Sequence, residues 1–277
     1  MLIKLLKYDW KYSWRLLFLL NGALLLFSIL GQLGSHLLQS GNYTVMSILA
    51  GMYILIYTLL FCGSLITTQI ILIARYYRNF YTDEGYLLHT LPVTTGQKIW
   101  AKFINHILWT LINILCLLLS ILFLAGPGEW KYMFQLIPDT FSAFSKTLGI
   151  HPVLIALGGL LAIVLALSFM IFSLYFCISI GSLFPSHKVI ASIVTYVILY
   201  GVVQFASLAY IIYSVFLVDR KIYTVNPSGI PVDPIYPSPA AGTFGVIYAV
   251  GMFLLLAGSA AFYGVSYYVA HKKLNLD

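Results

Sequence analysis

Six runs of about twenty or more apolar residues, at 16–38, 45–74, 103–125, 152–183, 189–218 and 242–270, alternate along the chain with shorter polar segments. A helix rising about 1.5 Å per residue needs about 20 residues to cross the hydrocarbon core of a bilayer, and each run meets that length. The runs are continuous and rich in Leu, Ile, Ala and Phe instead of alternating with period two, so they predict helices and not the strands of a barrel. The second, fourth and fifth runs, about 30 residues each, predict tilt, kinking or projection beyond the bilayer. The expected fold is an all-α polytopic membrane protein, a single transmembrane domain over residues 1–277.

Ahead of the first run, Leu2, Ile3, Leu5, Leu6 and Trp10 recur at roughly helical spacing, while Lys4, Lys7 and Lys11 fall on another face. Residues 1–15 are expected to form an amphipathic interfacial helix, with Tyr8, Trp10, Tyr12 and Trp14 at headgroup level. The basic opening passes into a segment long enough to span without a prominent small-residue cleavage signal, so the first helix is expected to stay in the protein.

Composition agrees with this picture, since 61% hydrophobic and 8% charged residues cannot be solvated as an ordinary globular domain. The charges also orient the chain, because Lys and Arg are retained on the cytoplasmic side. Lys4, Lys7, Lys11, Arg15, Arg75, Arg78, Lys98, Lys102, Lys188, Lys272 and Lys273 lie on one side of the predicted spans, eleven of the fifteen cations, and Lys131, Lys146, Arg220 and Lys221 lie on the other. Both termini are expected in the cytoplasm, with the net charge of +7 serving topology and attraction to membrane lipid rather than nucleic acid.

Cys62, Cys116 and Cys177 fall within runs and behave as small apolar residues. There is no phosphate-binding loop, so ATP hydrolysis by this chain alone is not expected. No His-Glu-x-x-His spacing and no glycine-flanked nucleophilic serine occurs, so no catalytic residue, cofactor site or metal site is expected in the chain. All eight acids lie at span ends, loops or tails, which argues against proton or sodium coupling through a buried carboxylate. Within the runs, Asn21, Gln32, Gln69, Asn113 and Gln204 are the conspicuous polar side chains, and hydrogen bonding between helices is their default role. Gln69 and Asn113 are alternatively candidates for lining a pathway. His106 reads as a packing group of the same kind.

The most informative polar insert is the cytoplasmic region 75–102. Tyr76, Tyr77, Phe80 and Tyr81 cluster there with Arg75 and Arg78, a mixture suited to a boundary between headgroups and a soluble partner. Thr82 or Asp83 can cap a short helix, Pro92 ends it, and Thr94 with Gln97 offers a capping pair for the helix of the third span. The other notable insert, residues 219–241, carries Pro227, Pro231, Pro234, Pro237 and Pro239 and predicts a stiff, extended extracytoplasmic loop.

The segment Asp83-Glu84-Gly85-Tyr86-Leu87, followed by Thr90-Leu91-Pro92-Val93-Thr94 between the second and third of six spans, resembles the permease subunits of type-2 ATP-binding-cassette exporters. The likeness is strongest to small bacterial forms with a basic amphipathic N-terminus; His89 stands where the family pattern has a bulky or aromatic residue. The resemblance implies that this segment is the coupling helix that docks on a cytoplasmic ATPase. Asp83 and Glu84 would pair with basic groups, Tyr86, Leu87 and Leu91 would supply apolar docking, and Gly85 and Pro92 would complete the segment. It further implies two ATPase copies that bind ATP and Mg, a second copy of this permease or a related one, and a place in the bacterial plasma membrane. Re-entrant helices between the fifth and sixth spans are also implied. The expected cargo is amphipathic or hydrophobic, such as a peptide, antibiotic or lipid. The competing expectation is a non-transporting immunity or sensor protein that binds a toxic peptide through residues 130–150 or the proline-rich loop.

Overall fold

A computed structural model describes residues 2–37, 43–82, 93–184, 186–222 and 239–272. Seven helices account for the regular structure among them: α1 (Leu2–Leu37), α2 (Tyr43–Tyr81), α3 (Thr95–Ala125), α4 (Pro127–Leu148), α5 (Pro152–Gly181), α6 (Lys188–Ile222) and α7 (Pro239–Lys272). All but α4 are long and apolar enough to cross a membrane. The six apolar runs correspond in order to those six helices, and the protein is an all-α polytopic membrane protein.

The helices outrun the runs that predicted them. At about 1.5 Å per residue, the 39 residues of α2 extend about 58 Å, against a hydrocarbon core of about 30 Å. Residues 2–15, expected as a separate interfacial element, continue into the first span as one helix, α1. At the other end of the chain, Asp219–Ile222 belong to α6 and Pro239–Ala241 to α7, so the loop expected over 219–241 is narrower. Pro239 opens its helix because a first-turn residue has no intrahelical N–H bond to lose. On either side of that loop, residues 201–222 and 239–272 lie in unbroken helix, so any re-entrant segment of the kind the resemblance implies does not come from them. Residues 223–238 are outside the described residues.

The remaining helix, α4, falls where a polar loop was expected. Gly126 makes the corner before it: its φ of +83° is open to glycine without strain, and a Cβ there would stand 2.3 Å from Gln32 Nε2. Trp130 Nε1 donates to the Leu122 carbonyl at 2.6 Å, fixing the start of α4 on the end of α3.

By their contacts the residues group into two compact units, dividing within α4 between Gln135 and Leu136. A single transmembrane domain over residues 1–277 is what the sequence predicts. In the first unit, α3 packs most extensively on α1, and α2 touches both. Leu17, Leu72 and Trp109 form its apolar centre, with Trp10 stacked on Trp109 at 4.5 Å between ring centroids. Tyr53 stacks on Phe27 at 5.0 Å and donates to the Phe27 carbonyl at 3.0 Å, over the bare backbone of Gly31. In the second unit, α5 packs on both α6 and α7. Phe176 meets Phe262 at 5.0 Å and Phe172 meets Tyr263 edge-on at 5.5 Å. His151 caps α5 by accepting from the Val153 N–H at 3.3 Å, with Pro152 next in line.

Candidate functional site

Asp83, Glu84, Gly85, Tyr86, Leu87, Leu91 and Pro92, the residues of the coupling segment, lie outside the described residues. What is described is the frame on either side of them. α2 runs to Tyr81, and α3 starts at Thr95 behind Thr94, whose hydroxyl accepts from the Gln97 N–H at 3.4 Å. Thr94 is extended at φ −68° and ψ 150°, the geometry of an N-cap. The capping signal in Thr94 and Gln97 therefore marks a true helix start.

Directly below that frame, α1, α2 and α3 are pinned by one carboxylate. Asp9 Oδ1 accepts from Lys102 Nζ at 2.6 Å and from Arg75 Nη2 at 3.0 Å. Arg75 Nη1 donates to the Asp9 carbonyl at 2.8 Å and to Ser13 Oγ at 2.7 Å, and the guanidinium lies over the Tyr12 ring at 4.3 Å. A guanidinium suits this position because its planar fork reaches a side chain and a backbone group of α1 together. Arg75 and Lys102, read from the sequence as topology signals, are thus also structural partners of Asp9.

The ladder continues along the same interface. His106 Nε2 lies 2.8 Å from Gln69 Oε1, and since an amide oxygen only accepts, the ring donates. Gln69 Nε2 donates to Thr110 Oγ1 at 3.2 Å. Beyond them, Asn113 Nδ2 donates to Asn21 Oδ1 at 2.9 Å, Asn21 Nδ2 donates to the Leu17 carbonyl at 2.9 Å, and Tyr57 and Ser120 share a hydroxyl hydrogen bond at 2.9 Å. On α3 these groups follow helical spacing: Lys102, His106, Thr110, Asn113 and Ser120 share one face. The period of that stripe is present in the sequence, but it shows only when the polar residues of α3 are taken together and not one by one. Gln69 and Asn113 are both engaged between helices, each bond contributing on the order of 1 kcal/mol in a membrane.

A different kind of site lies in the second unit. A cavity of about 500 Å³ is walled by Phe144, Leu148 and Ile150 at the end of α4 and beyond, Leu154, Ile155, Gly158 and Gly159 of α5, and Phe244, Gly245 and Tyr248 of α7. Its lining is almost wholly apolar, and the Tyr248 hydroxyl donates to the Gly158 carbonyl. Gly159 faces open space, with nothing within 4 Å of where a Cβ would be. Such a cavity suits an acyl chain or an apolar side chain far better than an ion. No group of three or more His, Cys, Asp or Glu able to hold a metal occurs among the described residues.

Comparison of the chain with protein-family models, with curated proteins and with solved structures finds no match.

Proposed function

We propose that this protein is the transmembrane permease subunit of an ATP-driven exporter of amphipathic or hydrophobic cargo. The observation that carries the reading is the position of Asp9. It ties Arg75, eight residues before Asp83, to Lys102, ten residues after Pro92. A push on the intervening segment by an ATPase would reach α1, α2 and α3 together, because the two helices entering and leaving the segment are fastened to the third. The motif in residues 83–94 supplies the docking surface in this reading, and the apolar cavity supplies a place for cargo. Two cytoplasmic ATPase subunits with ATP and Mg, and a second permease, complete the assembly. The chain itself does no ATP chemistry in this reading. It sits in the bacterial plasma membrane with both termini in the cytoplasm, as its basic residues suggest.

Affinity purification from native membranes in mild detergent tests the proposal. Retention of a nucleotide-binding subunit in near-stoichiometric amount, lost on mutation of residues 83–93, is the expected result. Purification of the chain alone from cells that make such ATPases overturns it. One observation favours a second reading, a non-transporting immunity or sensor protein. The cavity is walled in part by Phe144, Leu148 and Ile150, all within the stretch 130–150 expected to meet a toxic peptide. That reading requires peptide binding by the chain without any ATPase.

A further inference from the structure

We propose that the cavity beside Asp9 is a binding site for a phosphate group, presented by an anionic lipid headgroup or free in solution. The cavity, of about 300 Å³, is lined by Asp9 and Tyr8 of α1, Arg75 and Asn79 of α2, and Lys98 and Lys102 of α3, with Leu5 and Ala101. Three cations face it against one carboxylate. Asp9 is the one carboxylate in this lining, and its Oδ1 is bonded to both Arg75 and Lys102.

Lys98 carries the argument. The residue is only 4% exposed and lines the cavity, and its side chain has no hydrogen-bond or ion-pair partner among the described residues. Its ammonium has three donors and no protein acceptor, and an anion held in the cavity beside it would gain charge-assisted hydrogen bonds. Two further features act in the same direction. Lys98 and Lys102 are four residues apart on one helix face, where like charges repel, and both lie near the N-terminal end of α3, whose dipole repels cations. One anion in the cavity offsets both repulsions.

The position fits phosphate. Lys102 lies about 35 Å along α3 from Ala125, at about 1.5 Å per residue, which puts the cavity near the edge of a hydrocarbon core of about 30 Å, where headgroup phosphates reside. The volume admits a phosphate with several waters at about 30 Å³ each. This inference is independent of the transport reading.

The test is thermal unfolding of the purified protein in neutral maltoside detergent, with inorganic phosphate, dioctanoyl phosphatidic acid, dioctanoylglycerol as the tail control, or a polyglutamate peptide. The expected result is a rise of about 3 °C or more with a phosphate probe and none with dioctanoylglycerol. Lys98→Met should weaken the apparent affinity at least tenfold, and Lys98→Arg should retain it. A rise with phosphatidic acid alone assigns the site to a lipid headgroup; an equal rise with inorganic phosphate assigns it to the free anion. No rise with either phosphate probe, a response to polyglutamate alone, or an equal response in Lys98→Met overturns the proposal. Phosphorus analysis of the protein purified from membranes provides a second readout: copurifying phosphate above the level in Lys98→Gln supports the site, and equal levels count against it.

Discussion

Asp9 and Lys102 meet at 2.6 Å although 93 residues of chain separate them, and the same Asp9 oxygen holds Arg75 at 3.0 Å. All three side chains are largely buried, so the contact differs in kind from a surface ion pair. Removing Asp9 would take from both cations the carboxylate that they share in a largely buried contact. Asp9→Asn is expected to destabilise the protein by about 3–5 kcal/mol, read as a lowered unfolding temperature in detergent. The double variant Asp9→Asn with Lys102→Met should recover part of that loss.

The Asn21–Asn113 bond is expected to be worth less. A double-mutant cycle using Asn21→Leu and Asn113→Leu should give a coupling of about 0.6–1 kcal/mol, the ordinary range for interhelical hydrogen bonds in a membrane. Coupling indistinguishable from zero would mean that the two amides do not meet in the bilayer.

Gly31 is a steric requirement. A Cβ there would stand 2.0 Å from the Tyr53 hydroxyl oxygen and 2.1 Å from its Cζ. The ring cannot simply swing aside, because it is stacked on Phe27 and bonded to that residue's carbonyl. Gly31→Ala is expected to cost about 1–3 kcal/mol, measured by thermal or denaturant unfolding. In a Tyr53→Ala background the same substitution should cost little.

Gly159 is expected to behave in the opposite way, since a side chain there enters open space. Gly159→Leu should fold normally while filling part of the apolar cavity. Binding of a fluorescent amphipathic peptide should weaken about tenfold, roughly 1.4 kcal/mol. An unchanged affinity would remove the cavity from the account of cargo binding.

The double variant Tyr86→Ala with Leu87→Ala is expected to keep the membrane fold and to uncouple ATP hydrolysis from transport. The check is paired measurement of hydrolysis and vesicle transport in the reconstituted complex. Transport at the wild-type level would sink the lever reading.

The spanning helices were legible because a run of twenty apolar side chains has few alternatives in water or lipid. Thr94 was legible as a helix start for an equally local reason, its extended backbone and a hydroxyl within reach of Gln97. α4 was not legible. Pro138 supplies no N–H for the Phe134 carbonyl, and the flanking Glu129, Lys131 and Asp139 read as a loop. The grouping of Asp9 with Arg75 and Lys102 was hidden for another reason. Basic residues near span ends have a sufficient explanation in topology, and only tertiary packing reveals that two of them face one acid. The stripe on α3 lay between these cases, since its period was present in the sequence but its partners on α1 and α2 were not.

The reach of Asp9 to Lys102 also sets an order of events during synthesis. When α1 and α2 have left the ribosome, Asp9 can meet Arg75, but its closest partner, Lys102, is still untranslated or inside the exit tunnel. The Asn21–Asn113 bond is likewise open until most of α3 has been made. The first three helices therefore become a finished bundle only on arrival of the third. A nascent chain stalled before residue 102 would carry Asp9 held by one cation instead of two, with the Asn21 and Gln69 amides still without their partners on α3.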